Sequence, residues 1–212
     1  MVTNQLTKKE REENKERFIG LIRSINREGA KVEELLIKLE NSDFYIAPAS
    51  TKYHGSYEGG LVHHCLAVYD NLKLLIEMKG IKGISEDCII ILALLHDFSK
   101  MNLYKREYRN KKVYSPDGSK SDNAGRFEWV AEETYAMYPL DERFLYGNHE
   151  ETAEFMIRQY IPLTYQESVA IINHHAGMSY DSHDLSSSII ERFPVATLLH
   201  LADMLACNID KR

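Results

Sequence analysis

Seven side chains in this sequence combine the donor types of a metal centre with positions where such groups are costly. Asp97 follows the eight-residue apolar run Cys88–Leu95 and His96, and Asp203 lies inside the apolar stretch VATLLHLADMLA. A carboxylate in such surroundings is unfavourable unless a cation or hydrogen-bond donors meet it. Neither segment offers an Arg or Lys in its apolar part. Five histidines, His64, His96, His149, His174 and His175, fall at helix ends or edges that can converge on one point. Imidazoles and carboxylates without a thiolate suit divalent transition metals better than calcium or a zinc-finger site. Two carboxylates and five imidazoles exceed what one ion needs. The expected cofactor is therefore two divalent transition-metal ions, drawn from Mn, Fe, Ni, Co or Zn.

The local contexts of these residues, in chain order, are GGLVHHC, LLHDFSK, GNHEETAEFMI, INHHAG and LLHLADMLA. Together they resemble the HD-domain superfamily of metal-dependent phosphohydrolases, over roughly residues 54–207. GGLVHHC and INHHAG are most similar to the exoribonuclease-type HD domains. The resemblance implies one ion held by His64, His96, Asp97 and Asp203, and a second held by Asp97, His149, His174 and His175, with Asp97 as bridge. It makes Lys100 a phosphate-binding electrostatic catalyst beside Asp97. It implies hydrolysis of phosphoester bonds in a nucleotide or single-stranded nucleic acid. No GYP triplet follows the double histidine, and residues 103–147 form a long insertion, so the substrate stays open. A catalytically silent module that binds metal and nucleotide is the alternative function, and an interaction protein docking through its N-terminal helices is another.

Plainer roles exist for the same residues. A His-Asp pair at a helix end can be a hydrogen-bonded cap, and Lys100, His174 and His175 all suit a helix C-terminus through the dipole. His200 lies three residues before Asp203, on the same helix face, and reads as a supporting partner rather than a ligand. His63 and His183 read as surface residues. His54, in the Gly/Ser loop before the first motif, is a candidate substrate contact, as are Arg106 and Arg109.

The elements that must hold these residues are mostly helical. Residues 8–40 read as one or two amphipathic helices, and residues 61–79 as another, with His64 at the edge of its buried face. Ser85 caps a helix that runs through CIIILALL, apolar on every side and hence central. Asn148 caps a helix to about Tyr160. Thr164 and Glu167 form a capping box for a helix ending at His174-His175, before Gly177. Pro194 opens the last helix. Between them, residues 103–147 alternate Tyr, Arg and Lys around the turn signal SPDGSK and read as a β-hairpin. The expected fold class is all-α: an N-terminal helical extension (1–50), then an HD-type helical bundle (51–212) with an inserted β-hairpin at about 103–147.

Charge and composition bound the rest. The chain has 212 residues, 44% hydrophobic and 27% charged, with a net charge of −6, which argues against a surface that coats nucleic acid. Residues 101–130 carry seven basic and four acidic residues, a local +3 that leaves −9 for the remainder. With Tyr104, Tyr108, Tyr114 and Trp129 in the same segment, this fits a lid over phosphates and bases, or an ordinary solvated hairpin. Three scattered cysteines provide no disulfide framework or CxxC pair. The N-terminus lacks the apolar core of a secretory signal, and no apolar run is long enough to span a bilayer. The expectation is a soluble cytoplasmic protein.

Overall fold

The structure, a computed structural model, describes residues 6–144, 146–175, 188 and 191–212. Helices α1 (Lys8–Arg23), α2 (Val32–Glu40), α3 (Gly60–Lys79) and α4 (Glu86–Leu95) come first. Strands β1 (Tyr104–Tyr114), β2 (Lys120–Asp122) and β3 (Gly125–Met137) follow, then helices α5 (His149–Arg158), α6 (Tyr165–Ile172) and α7 (Pro194–Leu205). Local chemistry starts most of the helices. The Ser85 hydroxyl accepts from the Cys88 N–H, and Thr7, Asn148 and Thr164 each form a reciprocal capping box with a glutamate three residues on.

Helix α4 is the axis of the molecule. Every residue from Cys88 to Leu95 is buried, and the helix packs on α1, α3 and α6. An apolar surface all round leaves it no solvent face, so its C-terminal end delivers His96 and Asp97 into the interior. Phe18 and Ile22 of α1, Leu35 and Leu39 of α2, and Phe44 belong to the same continuous core as α3 and α4. The N-terminal helices therefore complete the bundle core. Arg27 ties this segment to α6 by a two-pronged ion pair with Glu167, at 2.7 Å on each arm, and Glu167 is buried.

The all-α expectation is overturned by a three-stranded antiparallel sheet in the order β1-β3-β2. The insertion is more than a hairpin. β1 pairs with β3 from Tyr104↔Met137 to Tyr114↔Phe127, and β2 pairs with the opposite edge of β3. The Pro-Asp-Gly turn does not join β1 to β3. It bends the chain across the sheet so that β2 can form, and the tight reversal comes later, between Asp122 and Gly125. Gly118 is required at that bend: a Cβ there would lie 2.4 Å from the Phe127 main-chain nitrogen. Most of the sheet is exposed, with Tyr104, Phe127 and Tyr135 as its buried side chains.

One helix end also differs from expectation. Helix α6 stops at Ile172, and His174 and His175 lie in the turn beyond it. Gly177 and His183 lie outside the described residues. Among the described residues, no helix is long and apolar enough to cross a membrane.

The pairing of the buried Glu167 with the half-buried Arg27 yields a stability prediction. Arg27→Ala leaves the Glu167 carboxylate buried without its cation, a loss of about 3–5 kcal/mol. Urea denaturation of the variant should show this drop; a change below about 1 kcal/mol would place the pair among the weak surface ion pairs.

Candidate metal centre

Four helices and a short turn bring the histidines and aspartates together. The N-terminal part of α3 carries His64, which is fully buried. The Gly59-Gly60 start of α3 permits this: Gly59 adopts φ +78°, and a Cβ on Gly60 would lie 1.9 Å from the Gly55 carbonyl oxygen, so the loop carrying His54 packs directly against the helix. Past the end of α4, Asp97 leaves helical geometry and a 3₁₀ turn (Phe98–Lys100) follows. Phe98 wedges that turn against Phe44 and Tyr160, and Asp43 exchanges two hydrogen bonds with Asn102 just beyond it. Helix α5 begins with His149, the turn after α6 supplies His174 and His175, and α7 supplies Asp203.

The donor atoms converge. His64 Nε2 lies 3.3 Å from His96 Nε2, 3.5 Å from Asp97 Oδ2 and 3.2 Å from Asp203 Oδ1. His96 Nε2 lies 3.4 Å from Asp97 Oδ2 and 4.0 Å from Asp203 Oδ1. On the other side, Asp97 Oδ1 stands 3.9 Å from both His149 Nε2 and His174 Nε2. Asp203 Oδ2 stands 3.5 Å from His175 Nε2. Two atoms bound to one ion at about 2.0–2.2 Å lie roughly 3–4 Å apart, so these spacings are those of ligand sets. Asp97 presents one oxygen to each half of the cluster. Asp203 does the same, which the resemblance had not implied.

The far side of each ring explains why Nε2 points inward. His64 Nδ1 faces the Arg212 main-chain oxygen, His96 Nδ1 the Ala93 carbonyl and His174 Nδ1 the Ile171 carbonyl. His149 and His175 both set Nδ1 against Glu150, at 3.0 and 2.8 Å. With Nδ1–H donated outward, Nε2 is left as the inward-facing ligand atom. Among the described residues, five buried side-chain polar atoms have no hydrogen-bond partner. Three of them are Asp97 Oδ1, His149 Nε2 and His174 Nε2, all facing the same space. Leaving three such atoms unsatisfied is costly unless a cation meets them, so the residues present fit a divalent ion.

Electrostatics prepare the same donor set. Burial pushes the Asp97 carboxyl up, but the Lys100 ammonium, 2.7 Å from Oδ2, and the His96 and His64 rings hold it well below the usual carboxylate range. Asp203 is likewise raised by burial and then brought well below that range by His175 and His64. Burial, with His96 and His175 nearby, lowers His174 to about 3, keeping it neutral. His175 moves the other way: burial opposes its charge, yet Asp203 and Glu150 raise it to about 9. A cation bound by His175 would displace the proton from Nε2.

The remaining candidate residues are placed less centrally. The His54 ring lies tilted against that of His64, 4.9 Å between centroids, and His54 contacts Cys207. His200 supports His174, its Nδ1 lying 2.7 Å from the His174 carbonyl oxygen. His63 is half-buried and bonded to the Tyr57 hydroxyl rather than free on the surface. Arg106 and Arg109 do not reach the cluster: Arg106 pairs with Glu58 and Glu133, and Arg109 with Glu107. Lys111 and Lys112 are paired with Glu132 and Asp122. The basic count over residues 101–130 omitted the acids that β3 brings across at 132 and 133.

Glu150 is the residue that sequence reasoning missed. As the second residue of α5 it reads as an ordinary first-turn acid favoured by the dipole, and only its adjacency to His149 hints at more. Comparison with protein families, with curated proteins and with solved structures yields no match to this chain.

Two outcomes follow from this geometry. Manganese or cobalt added to chelator-treated protein at about a hundredfold excess over its Kd should raise stability by about 2.7 kcal/mol, read as a shift in Tm. No shift with any transition metal would remove the ion from the picture. Glu150→Ala releases two rings at once and should weaken metal binding by about 10–100-fold, measured by calorimetric titration. Unchanged affinity would reduce Glu150 to a helix-start acid.

Proposed function

We propose that this chain is an HD-type metal-dependent phosphohydrolase that cleaves phosphoester bonds of a nucleotide or a single-stranded nucleic acid, acting in the cytoplasm through two divalent transition-metal ions. The observation that carries the reading is the set of three partnerless buried donors, Asp97 Oδ1, His149 Nε2 and His174 Nε2, set beside the fully buried His64–His96 pair.

His64, His96 and Asp203 would hold one ion and His149, His174 and His175 the other, with Asp97 shared. When bound, the two ions supply Lewis acidity toward phosphate oxygens and an activated water as nucleophile. The protein's own part is positioning. Asp97 is held between the two halves by Lys100, and the backbone carbonyls and Glu150 lock the rings in one orientation. Lys100 keeps its proton: burial opposes the charge, but Asp97 and Tyr104 favour it and raise its pKa. That side chain is 12% exposed, so its charge is shielded from bulk water beside the place where phosphate charge would develop.

His149 and His175 are 35% and 39% exposed, whereas His64, His96 and His174 are fully buried. A phosphate ester would therefore approach from the α5 side. Arg106, Arg109, Lys111 and Lys112 of β1 are engaged in ion pairs, so they support a folded sheet more directly than a phosphate-gripping lid.

The test is a screen of nucleotides, cyclic nucleotides, oligonucleotides and a small chromogenic phosphodiester with Mn, Fe, Co, Ni and Zn. Turnover with at least one metal and its abolition, with loss of bound metal, in Asp97→Ala is the expected result. Metal binding without turnover on any substrate would favour the silent metal- and nucleotide-binding module. On the best substrate, Lys100→Ala should lower kcat by about 10²–10³ with metal content intact, the cost of one lost electrostatic donor. An unaltered kcat would return Lys100 to an ordinary ion-pairing role.

A further inference from the structure

Beside the inner residues, and sharing His64 and Asp203 with them, lies a second group of metal-binding side chains. Cys207 falls four residues after Asp203, one turn further along the same helix face, where α7 passes into a π-helical turn (Ala206–Asp210). Its thiol donates to Asp203 Oδ1 at 3.3 Å, and its sulfur lies 3.4 Å from His54 Nε2. The ligand atoms of His54, His64 and Cys207 all fall within 4.8 Å of one another.

We propose that His54, Cys207 and Asp203 form a third metal site, selective for a thiophilic divalent ion of the zinc class, beside the His64 side of the centre. Geometry argues for it. Around a tetrahedral ion with nitrogen and oxygen at about 2.0–2.2 Å and sulfur at about 2.3 Å, a sulfur and a nitrogen or oxygen ligand stand roughly 3.5 Å apart. The sulfur–nitrogen separation of 3.4 Å to His54 and the sulfur–oxygen separation of 3.3 Å to Asp203 match that spacing. Chemistry separates this site from the inner one: imidazole and carboxylate accept any first-row divalent ion, whereas a thiolate favours zinc, cadmium or cobalt over manganese or magnesium. Binding forms a sulfur–metal bond and releases the thiol proton to solvent.

Access is provided as well. His54 and Cys207 line an open pocket of about 450 Å³ with Tyr53, Asn208 and Lys211, which leaves room for a water or an incoming ligand at the fourth position. The other two cysteines, Cys65 and Cys88, are buried in the helical core. Since Asp203 belongs to both groups, an ion at the outer site would draw its Oδ1 away from His64 and His96. The outer site thus couples soft-metal availability to the inner centre. The proposal uses the position of Asp203 and does not depend on the hydrolytic reading.

Titration of the full-length, metal-stripped protein with cobalt(II) tests it. The expected result is a set of visible ligand-field bands from the inner nitrogen and oxygen donors and, in addition, a near-ultraviolet thiolate-to-cobalt charge-transfer band. That band should vanish in Cys207→Ala and in Cys207→Ser while the visible bands remain. His54→Ala should weaken its formation by about tenfold or more, since loss of a direct ligand costs at least as much as loss of an outer-shell partner. Visible bands without a charge-transfer band would overturn the third site and leave the inner centre standing. A band that survives both Cys207 substitutions would belong to Cys65 or Cys88 and would equally overturn it. Absence of every cobalt band would overturn the third site and the two-ion reading together.

Discussion

Keeping Asp97 and Asp203 ionised at 2% and 4% exposure is the constraint around which the rest of the molecule is arranged. An isolated carboxylate in such an interior would take up a proton rather than bear the desolvation cost. Here the Lys100 ammonium and a ring of imidazoles hold both acids in the charged form. That compensation is incomplete: Asp97 Oδ1 and the Nε2 atoms of His149 and His174 have nothing to bond. A fold tuned only for stability would fill this space with apolar side chains, because a partly satisfied polar cluster is worse than none. The unsatisfied atoms make sense as a cation's coordination sphere.

The same constraint explains the architecture. Helix α4 is apolar on all sides because its task is to carry His96 and Asp97 to the centre of the bundle, and α1, α3 and α6 enclose it. The aromatic wedge of Phe44, Phe98 and Tyr160 and the Asp43–Asn102 pair hold the turn that aims Lys100 back at Asp97. Exposure then rises across the cluster, from the buried His64, His96 and His174 to the partly open His149 and His175. The inner side is fixed by main-chain oxygens and the outer side by the single carboxylate of Glu150. One half of the centre is thus rigid scaffold, and the other half is reachable by a ligand.

The sheet stands apart from this logic. Its side chains are mostly exposed, and Arg106, Arg109, Lys111 and Lys112 find acids within the sheet or at Glu58. Tyr104, at the first position of β1, is buried and favours the charge on Lys100. Farther out, Tyr114, Phe127 and Trp129 stack edge to face on one another with Lys112 over two of the rings, forming a small cluster of their own. The insertion holds itself together largely through these local contacts.

How much could be read from the sequence depended on whether the cause was local. Ser85, Asn148 and Thr164 announce helix starts because the caps act within three residues, and the apolar run 88–95 announces burial because no solvent face is possible. The anomaly of Asp97 and Asp203 in apolar company was visible for the same reason, and it was enough to nominate the histidines. The sheet's third strand was not visible: β2 is three residues long and forms only because Gly118 lets the chain cross to the far edge of β3. Neither the paired state of Arg106 and Lys111 nor the role of Glu150 could be read, since each depends on a residue from another strand or turn. The second bridging contact of Asp203 and the approach of His54 to Cys207 depend on where α7 lies against α3 and the His54 loop. Which side chains were out of place in an apolar core is legible along the chain, because that is a matter of composition over a short stretch. Which donor atoms face one another came from the packing of distant elements, because separations of 3–4 Å between residues up to 153 positions apart are set by how helices and loops pack and not by any local rule.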